Sequence, residues 1–185
     1  MEVEGARRRA RALLLRAGPD RWRHVEAAAA RAGEIQYTVA PEDRRLLLAA
    51  VWLHDIGYAP ALARTGLHSL DGARHLEATG DRRVAELVAH HSGARFVAAV
   101  LGLRVALARY SFAVTPLTDA VTYADQTAGP RGQRVTVAER LAETRRRHGS
   151  DTPTSRVRHL REPYILAVAE RVEHRLRSVG PGRHP

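Results

Sequence analysis

The chain has 185 residues, 44% of them apolar, which suits one globular domain and leaves too little length for two good-sized cores. It has no cysteine, so disulfides, zinc–thiolate sites and thiol nucleophiles are excluded, and any metal must be held by nitrogen and oxygen. The formal net charge of +10 rests on Arg alone, because the sequence has no Lys. It favours anionic partners: a small phosphorylated substrate such as a nucleotide first, nucleic acid second, with a solvated basic face as the bland alternative.

Helical periodicity runs along the chain and no stretch sustains a period of two, so the fold class is all-α. The opening MEVEGARRRARALLLRAG alternates Arg with apolar residues on a helical period, unlike a secretory leader. The first helix is expected over Ala6–Ala17, ended by Gly18-Pro19. Asp20 is placed to cap a second over Arg21–Ala32, closed by Gly33. Pro41 suits the first turn of a third, Glu42–Asp55, with Gly57 after it. This helix holds the longest apolar run, Leu46–Leu53, far too short to cross a bilayer. A cytoplasmic protein with no membrane partner is therefore expected, and its oligomeric state is open.

Further helices are expected over His68–Ala78, Arg82–His91, Ala94–Arg109 and Pro116–Thr127. Gly80, Ser92-Gly93 and the Gly129–Gly132 loop punctuate them, and Gly102 weakens the third. Thr136 and Glu139 form a capping-box pattern before a helix to Arg147. The last helix spans Glu162–Arg177, with Ile165, Val168, Ala169, Val172 and Leu176 on one stripe, and the tail 179–185 is expected to fray.

Several apolar stripes end in a polar residue. Leu117, Ala120, Val121 and Ala124 lead to Asp125; Val84, Leu87 and Val88 lead to His91. His24 shares a face with Val25, Ala27 and Ala28, and the central third helix ends in His54-Asp55. Singly, each reads as a satisfied core histidine or an Arg-paired aspartate. Together they are expensive to bury unless they meet at a metal, and imidazole with carboxylate suits Zn, Mn, Fe, Ni or Co. Side chains at adjacent helix positions point about 100° apart, so His54 and Asp55 can share an ion only where the helix ends, and Gly57 supplies that end. His90 falls with Arg83 and Glu86 on a wetter side, and His75, His148, His159, His174 and His184 read as surface residues.

The order His24, then His54-Asp55 in "HDIG", then Asp125 resembles the HD superfamily of metal-dependent phosphohydrolases. The resemblance spans Asp20 to Arg131 and implies a metal-binding helical core at 20–131, a C-terminal helical extension at 132–178, and His24, His54, Asp55 and Asp125 as ligands. A subset of that superfamily adds two histidines and a second ion bridged by the aspartate of the pair. His68 in "GLHSLDGA" and His91 in "AHHSG" fall where that subset places them. The chain is similar in part to bacterial HD-type hydrolases that split diadenosine tetraphosphate, sharing an H-x-x-x-G-A segment and "TYADQTAGPRG". It lacks the Glu-Asp pair of the (p)ppGpp-hydrolysing branch and the GYP motif of cyclic di-GMP phosphodiesterases.

One or two divalent transition-metal ions held this way would activate water and neutralise a phosphoryl group, with Asp55 central to the chemistry. Arg131 and Arg95 are candidates to clamp phosphoryl oxygens; the other reading makes each a surface Arg among 30. Asp71 could orient a ligand or act as general base, or simply pair with Arg64 or Arg74. Tyr58 is placed to line the pocket mouth. Two competing functions remain: an HD-type diiron oxygenase, which an extra inward acid or Tyr near His24 would favour and for which Glu26 lies off the face, and a regulatory module binding nucleotide or RNA without turnover.

Overall fold

A computed structural model describes residues 2–179, so Met1, His184 and all of the expected frayed tail but Val179 lie outside the described residues. Helix α1 covers Val3–Leu14 and tightens into a single 3-10 turn at Leu15–Ala17, starting three residues earlier than its apolar pattern requires. Gly18, at φ 109°, then makes a turn that only glycine adopts readily, and Pro19 occupies the first position of α2 (Pro19–Ile35). Asp20 therefore sits inside the first turn and does not cap it. Gly33 does not stop α2, because the helix gains by carrying on to bury Ile35 completely.

Helix α3 (Arg44–Leu53) comes after a 3-10 turn at Pro41–Asp43 and packs against α1, α2, α5 and α8, defined below. That central position explains its apolar circumference: Leu47, Ala50, Val51 and Leu53 are all fully buried. The large ones stabilise the fold by roughly 1.5–3 kcal/mol each. The α-helix stops at Leu53, and a 3-10 turn, Ile56–Tyr58, carries the chain away just after His54 and Asp55. Gly57 has no left-handed backbone, contrary to its expected capping role; a Cβ there would collide with the backbone of His68 and Gly72. It is required for close approach.

Helices α4 (His68–Ala78) and α5 (Arg82–His90) pack on each other, turned by Gly80 at φ 86°. The expected helix over 94–109 is two: α6 (Ala94–Val100) and α7 (Arg104–Leu107). Gly102 at φ 72° separates them, and the Leu103 N–H closes α6 on the Ala98 carbonyl at 2.8 Å, a left-handed helix stop. Helix α8 (Pro116–Gln126) opens on a Thr115 capping box, and α9 (Val137–His148) on the Thr136–Glu139 box.

After a short α10 (Pro153–Arg156), α11 runs Arg158–Val179, starting before Glu162 and passing through Pro163. The Val157 carbonyl takes the N–H groups of Leu160 and Arg161, at 3.0 and 2.9 Å, which nucleates the extra turn. Ile165, Val168, Ala169 and Val172 are buried, and α11 lies against α8. There Asp119, 2% exposed, accepts from Arg171 at 2.9 and 2.6 Å and from Arg175 at 2.7 Å. The fold is all-α: the only extended pairing among the described residues is a single bridge between Ala128 and Arg134. No helix among them is long and apolar enough to cross a membrane.

Candidate metal centre

Three histidines are wired to the backbone in the same way. The Nδ1 atoms of His54 and His91 each lie 2.7 Å from a carbonyl one turn earlier on their own helix, Val51 and Val88; that of His24 lies 3.2 Å from the Gly129 carbonyl. A carbonyl only accepts, so in each ring Nδ1 carries a proton and donates it, and in the neutral form of the ring Nε2 is left as the free lone pair, the form in which it can ligate. All three rings are buried. Their Nε2 atoms converge with Asp55 and Asp125, which are 3% and 6% exposed.

Two half-sites share Asp55. In the first, His24 Nε2 and His54 Nε2 are 3.4 Å apart, and Asp55 Oδ2 lies 3.6 and 3.4 Å from them. Asp125 Oδ1 completes it, 3.0 Å from His24 Nε2 and 3.8 Å from His54 Nε2. In the second, His68 Nε2 and His91 Nε2 are 3.2 Å apart, with Asp55 Oδ1 at 3.3 and 4.0 Å. Ligand atoms of such sets crowd within 4.8 Å of one another. Lone pairs facing lone pairs repel unless a cation lies among them, so the donor set fits a divalent metal of nitrogen and oxygen preference.

The electrostatics agree. Burial opposes a charge on His54, yet Asp55 and then Asp125 outweigh it and raise its pKa to about 9. Burial would likewise push both carboxyls up, but Arg21 and His54 beside Asp55, and His24 and His54 beside Asp125, hold them well below the usual range. His91 and His68 are kept neutral, chiefly by burial. The cage thus draws in positive charge at its centre and leaves its second pair of imidazoles ready to ligate.

Neighbours fix the ligands. Ser92 and Gly93 are both left-handed, at φ 52° and 74°, which turns the chain sharply after His91. For Ser92 this costs energy, repaid locally: its hydroxyl donates to Asp125 Oδ2, and its N–H donates to Thr122 Oγ1 at 3.1 Å. Gln126 Nε2 donates to the same Asp125 oxygen at 2.8 Å. Arg21 Nη1 donates to Asp55 Oδ2 at 2.5 Å, its guanidinium 3.9 Å above the Tyr58 ring, and that ring stacks on His68 at 4.1 Å. Sequence reasoning misses Arg21; its one signal is its place one turn before His24 on the same face.

The cage opens into a cleft of about 560 Å³ lined by Arg21, Tyr58, Arg140, Arg147, His148 and Arg161 among others. His148 is half-buried at this mouth, a correction to its expected surface place. His90 is also buried, with Nε2 donating to the Tyr110 carbonyl at 2.8 Å, because α5 packs its supposed wet side under the 110 region. The three remaining candidates fall elsewhere. Arg95 is turned away by the bend at Gly93 and sits among Phe96, Phe112 and Tyr164, 4.3–4.7 Å from their ring centres. Arg131 is exposed and lines a neighbouring cleft with Arg146. Asp71 spends its carboxylate on the preceding loop, accepting from the N–H groups of Arg64 and Thr65 at 2.9 and 3.0 Å and from the Thr65 hydroxyl at 3.0 Å. It holds the loop that leads into His68. Glu26 is exposed and adds no acid to the cage.

A family model described as HD domain matches residues 21–142. No curated protein and no solved structure matches the chain.

Proposed function

The chain belongs to the HD domain family, and from that membership and its histidine–aspartate cage we propose that it is a metal-dependent phosphohydrolase acting on a nucleotide or another small phosphorylated metabolite. The observation that carries the reading is Asp55, which turns one oxygen to His24 and His54 and the other to His68 and His91. His24, His54, Asp55 and Asp125 would hold one divalent transition-metal ion, and His68, His91 and Asp55 a second. Such ions supply an activated water and neutralise charge on a phosphoryl group.

The chain's own residues do the positioning. Arg21 pins Asp55 while facing the cleft, and Ser92 with Gln126 pins Asp125, so both carboxylates are oriented before substrate arrives. The walls carry Arg140, Arg147 and Arg161, which attract phosphate and raise its local concentration. Tyr58, 42% exposed, lines the mouth with its ring already stacked on His68 and covered by the Arg21 guanidinium, which holds both in place beside the cleft.

The test is phosphate or nucleotide release from dinucleoside polyphosphates, deoxynucleotides, cyclic nucleotides and phosphonates, with Mn, Fe, Co, Ni and Zn in turn. Metal-dependent hydrolysis of at least one phosphorylated compound is expected. No release under any combination refutes the proposal.

A further inference from the structure

The match to the family ends at residue 142, yet the cleft over the cage is walled in part by residues beyond it, among them Thr144, Arg147 and Arg161. Two guanidinium groups stand out in the wall. Arg140, on α9, is 6% exposed; its Nη1 donates to Glu143 at 2.6 Å, and its Nε finds no partner among the described residues. Arg161, in the first turns of α11, donates Nε to the Ser92 carbonyl at 2.8 Å, a neutral acceptor. No carboxylate among the described residues lies within 4.0 Å of it. Burial above all, and the nearby charge of Arg140, work against its charge and outweigh the favourable fields of Asp125, Tyr58 and Glu162.

A part-buried cation without a counterion is unfavourable unless the missing charge is delivered by a ligand. Here the gap faces the cleft, beside the Ser92 turn that orients Asp125. Guanidinium groups present forked N–H donors suited to two oxygens of one phosphoryl group. We propose that Arg161, seconded by Arg140, forms an oxyanion subsite that binds a phosphoryl group of the ligand beside the cage, and that the C-terminal extension rather than the family core supplies its principal cation. The ligand class rests on the phosphohydrolase reading above; the anion site itself does not.

The test is calorimetric titration of the full chain, reconstituted with Mn, with inorganic phosphate. Wild type is expected to bind it. Arg161→Gln is expected to weaken binding about tenfold or more, the loss of a charge-assisted fork. Arg161→Lys should recover part of the affinity, since it restores charge without the fork, and Arg140→Gln should weaken binding less. Metal content measured alongside should match wild type in all three variants, which separates loss of the subsite from collapse of the cage. Wild type that ignores phosphate, or an Arg161→Gln protein that binds it as wild type does, overturns the subsite. Should Arg161→Gln misfold, the Lys and Arg140 variants decide the question. Phosphate binding that depends on Arg161 in a protein that hydrolyses nothing would instead refute the phosphohydrolase reading and leave the subsite standing.

Discussion

Replacing Gly57 by Ala probes the joint on which the two half-sites depend. A Cβ at this position would lie 2.7 Å from the carbonyl carbon of His68 and 2.8 Å from the nitrogen of Gly72, and closer still to the His68 oxygen. All three are backbone atoms, so no side chain can swing aside. Reaching ordinary contact at 3.4 Å from that carbon alone takes a movement of about 0.7 Å, between the turn after Asp55 and the start of α4. Metal ligands tolerate errors of about 0.2 Å, so His68 would leave its half-site. The overpacking should cost about 3 kcal/mol, against at most about 1 kcal/mol gained from a stiffer unfolded chain. For a chain of this size that lowers the melting temperature by roughly 4–12 °C, measured on chelated protein so that metal binding does not contribute. Metal titration should show the weaker ion bound about a hundredfold less tightly. Gly72→Ala is the milder comparison: its Cβ would meet Ile56 Cγ1 at 3.2 Å and the Gly57 backbone nitrogen and Val88 Cγ1 at 3.3 Å, contacts that a shift of a few tenths of an ångström relieves, and should cost less than about 1.5 kcal/mol. A Gly57→Ala protein with wild-type melting and metal titration would show that the close approach does not position His68.

The same geometry sets other outcomes. His54 titrates near 6.5 when unfolded and at about 9 in the metal-free fold, so its stabilisation is complete below pH 6.5 and is lost as pH rises toward 9. His91 is lowered, so its neutral form stabilises above pH 6.5 and that share is lost on acidification. Metal must displace the His54 proton; the melting-temperature gap between Mn-loaded and chelated protein should therefore widen from pH 6.5 to 9, and a constant gap would contradict this. Arg95→Ala should lower stability by about 1–2 kcal/mol through its lost aromatic contacts and leave KM for any substrate unchanged, as read by melting and steady-state kinetics. Asp119→Asn should cost about 2 kcal/mol in denaturant unfolding, because Arg171 and Arg175 lose the carboxylate that ties α11 to α8.

The inward residues were legible because the signal is local. A stripe that ends in Asp125 or His91 says which way that side chain points, and the end of α3 after Leu53 had to come there if His54 and Asp55 were to converge. What escaped lies in long-range packing. Thirty arginines look alike in sequence, and nothing local distinguishes Arg161, which meets Ser92 across 69 positions, from Arg95, which an aromatic box holds away from the cage. Asp71 reads as a helical acid near a histidine, but which groups it faces depends on a loop path that periodicity does not encode. Gly33 and Gly57 show the same limit: one stays helical because burial of Ile35 outweighs its propensity, and the other is needed for a neighbour along the chain that no local pattern reveals. Gly102, whose left-handed turn does break a helix, behaves as its local chemistry suggests.

The most direct measurement is metal stoichiometry by elemental analysis of the purified chain, reconstituted with Mn, Fe, Co, Ni or Zn, beside His54→Ala and Asp55→Ala. One to two equivalents are expected in wild type, with Asp55→Ala losing more than His54→Ala because both half-sites share its carboxylate. Wild type that retains no transition metal, or an Asp55→Ala protein with the full wild-type content, would contradict the metal centre.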